Sequence, residues 1–132
     1  MNRHFNPASL HAPVGSYHHG CEVPAGARWL MLAGQVGVKP DGTWAEGAAA
    51  QAEQACRNIV AILAEADMGP EDIVKLVTYP VGAEHIPAVR AARDEVLGVA
   101  PPATLIVVPA LAVPEALIEI EAIAVLPDSP DS

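Results

Sequence analysis

A chain of 132 residues that is 52% apolar has the length of one compact domain and ample material for a core. Its formal net charge of −9 at pH 7, with only 7 Lys plus Arg, repels polyphosphate, so nucleic acid is not expected as a partner. No apolar run is long enough to cross a membrane and the N-terminus shows no apolar leader, which leads to the expectation of a cytoplasmic protein away from membranes.

Residues 1–14 lack periodicity and read as an extended arm, followed by a domain over residues 15–126 and a flexible polar tail, 127–132. Tyr17 to Val23 and Trp29 to Val38 are strand candidates around a Pro24 to Ala27 turn, which predicts a hairpin. Gly34 and Gly37 fall where glycine marks a bulge or a close backbone approach. From Glu46 to Ala66, apolar residues recur at intervals of three and four, the period of an amphipathic helix, and Gly69-Pro70 supplies its stop. Ile73 to Val81 is β-branched and short enough for a strand; Glu84 to Leu97 predicts a second helix ended by Gly98.

The last quarter holds two more strand candidates, Thr104 to Val108 and Ala116 to Leu126. Alternation in the second puts Ala116, Ile118, Ile120, Ala122 and Ala124 on one face, with Leu117, Glu119, Glu121, Ile123 and Val125 on the other. A helix layer can cover the first face. The second is too apolar for plain solvent, yet it holds two carboxylates, so another subunit is expected to cover it.

Several chemistries find no support. Cys21 and Cys56 are widely spaced without a C-x-x-C pattern and read as structural thiols. If the Tyr17 segment is a strand, Tyr17 and His19 share a face while His18 points away, so the histidine pair does not converge on one ion and no metal is expected. The glycines lack phosphate-loop spacing, and no serine sits in a nucleophile elbow.

Gly15-Ser16-Tyr17, Gly34-Gln35, Gln51 with Asn58, and Glu119-Ile120-Glu121-Ala122-Ile123-Ala124 together resemble the RidA/YjgF family, in order and spacing across residues 15 to 126. The resemblance implies an α+β, chorismate-mutase-like fold, a mixed sheet with two helices on one face. It also implies a homotrimer with small-molecule sites in the clefts between subunits and no cofactor. The activity it implies is hydrolytic deamination of enamine or imine metabolites, releasing ammonia. By that resemblance Glu119 places the attacking water, Tyr17 orients the ligand, and Gly34 offers backbone donors. His19, Ala33, Arg90 and Arg93 complete the candidate set. The chain departs from the family pattern at Ala103, where an arginine otherwise grips the substrate carboxylate; Ala33 replaces a serine, and Arg90 a common asparagine. Two readings therefore stand open: a deaminase, or a non-catalytic trimer that binds a small metabolite or a protein partner. Ribonuclease activity, also described in the family, runs against the acidic charge.

Overall fold

The computed structural model describes residues 1–128; of the tail expected over 127–132, residues 129–132 lie outside the described residues. Six strands and two helices follow in the order β1 (Arg3–Phe5), β2 (Gly20–Glu22), β3 (Arg28–Met31), α1 (Ala48–Glu65), β4 (Ile73–Pro80), α2 (Ile86–Ala92), β5 (Ala103–Leu105) and β6 (Ile118–Leu126). The main sheet runs β3-β6-β4-β5. β6 is antiparallel to both neighbours, whereas β4 and β5 are parallel, as a crossover through α2 requires. The mixed sheet and two helices are the α+β architecture expected from the sequence.

The predicted hairpin does not form. β2 pairs with β1 from the arm, and β3 pairs with β6. The turn around Gly26, at φ 81°, reverses the chain without joining its two flanks. Turn residues are read locally; strand partners are chosen by long-range burial, and the apolar β6 offers β3 the better surface.

α1 buries Ala52, Ala55, Cys56, Ile59 and Leu63, the face its period predicts, against β6 and α2. The sheet face beneath is equally apolar: Ile118, Ile120 and Ala124 are fully buried. Each buried isoleucine is worth about 1.5–3 kcal/mol, so this layer carries the stability of the domain. α2 widens at its end into a π-type turn over Arg93–Leu97, and Gly98, at φ 63°, stops it in the left-handed conformation that glycine tolerates.

The segment after β3 holds a one-residue bulge. Met31 pairs with Ile123 and the Leu32 N–H donates to Ala122 O, but Gln35, one residue late, pairs with Ile120. Two amide side chains of α1 fasten the loops on either side. Gln51 accepts from the Leu117 N–H (2.9 Å) and donates to Glu115 O (3.1 Å), and Asn58 donates to Val36 O and Val38 O. Gly37 lies so close that a Cβ there would stand 2.6 Å from Gln51 Cα, which no side chain permits. β5, the last strand of the sheet, is only three residues long and is flanked by Pro101, Pro102 and Pro109.

Candidate functional site

The candidate residues fall into two groups on different parts of the protomer. A cleft of about 270 Å³ lies between α2, β5 and the loop before β2. The loop contributes Val14, Ser16 and Tyr17; α2 and its π-type turn contribute Arg90, Arg93 and Asp94; β5 contributes Ala103 and Leu105. Both helix arginines therefore stand in the cleft that Ala103 lines.

They are not equivalent. Arg90 is exposed, but Arg93 is only 9% exposed. Its Nη2 donates to the Ser16 carbonyl at 3.2 Å, while its buried Nε has no partner. Burial lowers the pKa of this guanidinium, the sign of a cation short of compensation. The Cys56 thiol, which interacts with it electrostatically, is pushed by burial up to about 12 and stays neutral. Tyr17 Oη accepts from the Val14 N–H at 3.2 Å, which fixes the phenol at the mouth of the cleft.

His19 does not join the cleft lining. Its Nε2–H donates to His11 O at 2.9 Å, and its backbone N–H donates to Asn6 Oδ1 at 2.8 Å. Tyr17 and His19 do meet edge to face, their ring centroids 5.5 Å apart, although the segment is a loop and the strand begins only at Gly20. His18 turns elsewhere, with Nδ1–H donating to Ala100 O at 2.6 Å. Ser16, Thr104 and Leu105 were not singled out from the sequence, though Ser16 stood beside Tyr17 and the other two beside Ala103.

The second group lies on the sheet face turned away from the helices. Glu119 sits half-buried opposite Tyr79, with its side chain over the backbone of Gly34. The bulge that displaces Ala33 and Gly34 creates this contact, since a Cβ at Gly34 would come within 2.8 Å of Glu119 Cδ. Tyr79 Oη donates to Glu121 Oε1 at 2.5 Å, and that hydrogen bond, with partial burial and the nearby carboxylates, raises the phenol pKa. Glu121 is thus engaged by a neighbour, whereas the Glu119 carboxylate has no hydrogen-bond partner of that kind among the described residues. On the same face Trp29 and Met31 are 59% and 67% exposed. Glu119, Ala33 and Gly34 are absent from the lining of the Tyr17 cleft, so one copy holds the two groups apart.

Fold and site together define a small α+β domain with a helix-covered sheet, an arginine-bearing cleft at one edge and a carboxylate on the open face. A profile of the family described as endoribonuclease L-PSP matches residues 9–126. The chain belongs to that family, the RidA/YjgF proteins. It is similar to the crystal structure of YyfB from Yersinia pestis, a protein of unknown function in the conserved Rid family, at 36% identity and a TM-score of 0.82, over 95% of this chain and 98% of that one. RidA from an Antarctic Psychrobacter is similar at 26% identity and a TM-score of 0.70, over 94% and 99% of the two chains. A RutC family protein of Aquifex aeolicus is 40% identical over 68 residues, 51% of this chain and 52% of the relative, so the matched stretch spans about half the length of that relative. Among the described residues no helix is long and apolar enough to cross a membrane.

Proposed function

We propose that the protein is a RidA-like hydrolytic deaminase acting on a small enamine or imine in a cleft between subunits of a homotrimer. The observation that carries this reading is the separation just described. A cationic cleft with a fixed tyrosine and an open sheet face with a half-buried glutamate are each an incomplete site, and the exposed Met31 and Trp29 farther along that face, opposite Ile123 and Val125, suit cover by a neighbouring copy. Glu119 of one copy would then face the Tyr17 cleft of the next.

In that arrangement an enamine first tautomerises to its imine. Glu119 takes a proton from water as the oxygen adds to the imine carbon, the nitrogen gains the proton, and collapse of the carbinolamine expels ammonia and leaves a carbonyl. One water enters and one ammonia leaves. Tyr17 orients the ligand, and the backbone beside Gly34 offers donors to the developing charge. No cofactor takes part.

A positioned general base is worth about 10²–10⁴ in rate. The test is release of ammonia and 2-oxo acid from 2-aminoacrylate generated in situ: turnover by the wild type should fall about 10²–10⁴-fold in Glu119→Gln with the melting temperature kept. Turnover that survives the substitution removes Glu119 from the mechanism. Ala103 favours a second reading, a non-catalytic trimer that binds a small metabolite or a protein partner; it is supported if no turnover occurs while a metabolite still raises the melting temperature.

A further inference from the structure

We propose that Arg93, on the helix side of the cleft, is the anion anchor of this protein, and that its ligand is a short-chain aliphatic carboxylate. The carboxylate would sit on the Arg93 guanidinium and the hydrocarbon against Val14, Ala103 and Leu105. The inference rests on the Tyr17 cleft being the ligand site, but not on hydrolysis taking place there.

The argument starts from an imbalance. A guanidinium carries five N–H donors and keeps its charge, so burying it without an anion is costly. Arg93 is 9% exposed; among the described residues its side chain donates to one carbonyl, that of Ser16, and its buried Nε has no partner. Asp94, the acid nearest in sequence, is exposed at the rim of the cleft and makes no ion pair with it within 4.0 Å among the described residues. Asp94 supports the charge only at longer range, which leaves the guanidinium short of a contacting anion, and the cleft that Arg93 lines gives one a way in. Arg90, one turn earlier, is exposed and solvated, so an anion gains less from it.

The cleft also mixes apolar with polar lining. On the β5 side Ala103 and Leu105 flank Thr104, and Val14 adds apolar surface from the loop, while Arg90, Arg93, Asp94, Ser16 and Tyr17 supply the polar groups. An arginine at 103 would have filled the β5 side with charge. Alanine leaves room for hydrocarbon instead, which turns the ligand so that its charged end points to the helix. Selection then falls on an acid with a small linear tail rather than on a bare anion.

Calorimetric titration of the wild-type protein with acetate, propanoate and butanoate tests this. Affinity should rise about fourfold per methylene, and should fall about 10- to 150-fold in Arg93→Met, with partial recovery in Arg93→Lys and a change below about threefold in Arg90→Met. Because Arg93→Met touches a buried position, Ala103→Asp serves as a second variant: a carboxylate placed in the cleft should occupy Arg93 and abolish binding while the far-UV spectrum is kept. Failure of butanoate to bind the wild type, equal binding by Arg93→Met, or affinity independent of tail length overturns the proposal. So does a changed sedimentation coefficient in Arg93→Met with butanoate binding intact, which would mean that a partner copy's acid fills the site. Binding that follows this pattern without any imine turnover would retain the anchor and refute the hydrolase; turnover equal in wild type and Arg93→Met would do the reverse.

Discussion

Along β6, alternate side chains meet opposite surroundings. Ile118, Ile120, Ala122 and Ala124 are buried under the helices, whereas Leu117, Glu119, Glu121 and Ile123 are only half-buried on a face that also exposes Trp29 and Met31. The contrast teaches that one nine-residue strand divides two tasks by the period of the pleat. One side is filled within a single copy, and the other stays half-open.

The sharpest way to break that division is to damage each side in turn. Ile120→Ala should lower unfolding stability by about 2–5 kcal/mol in denaturant titration, because it opens a cavity beneath α1. Met31→Glu, on the other side, should leave the fold's far-UV spectrum unchanged and lower the sedimentation coefficient to that of a monomer. Equal loss of stability from both would show that the faces are not separate. A smaller effect is expected from Gly34→Ala. The new methyl meets the flexible end of Glu119 rather than backbone, so stability should change by less than about 1 kcal/mol. The carboxylate must move aside, however, and turnover of 2-aminoacrylate should fall about tenfold or more.

The smallest expected effect lies in the β1–β2 pair. Burial, with a contribution from the charge of His18, lowers the His4 pKa below 6.5. The unfolded chain then takes up the proton more readily than the folded one, so this contribution is fully present above pH 6.5 and is lost as pH falls through the folded-state value. Amide hydrogen exchange across Gly20–Glu22 should speed up toward pH 5 relative to the main sheet, and His4→Gln should remove that difference.

Much of this was legible because it is periodic. The three-and-four spacing of Ala52, Ala55, Cys56, Ile59 and Leu63 located α1, and the alternation from Ala116 onward gave the burial of both faces of β6 as far as Ala124; Val125, expected on the open face, is fully buried, and Asn2 of the arm donates to its carbonyl. Gly34 signalled the bulge. What periodicity could not supply was pairing: the partners of β2 and β3 depend on surfaces far away in sequence, and the local turn pointed to the wrong ones. The site divided in the same way. Tyr17, Arg90, Arg93 and Ala103 come together, while His19 is held by His11 and Asn6. That Arg93 is buried and Arg90 exposed follows from the rotation of α2 against the loop at Ser16, which no single residue encodes. Gln51 and Asn58, which helped to carry the family resemblance, turn out to fasten loops rather than to touch the cleft.

The brevity of β5 has a consequence for a newly synthesised chain. The open face of the sheet exposes Trp29 and Met31, and a long free border beside such a face would invite strand-by-strand growth into fibrils. At the β5 border, one of the sheet's two, there are three strand residues between Pro102 and Pro109, and proline cannot extend a ladder. Along that border strand addition therefore finds little to grow on, even while the open face of the sheet stays uncovered.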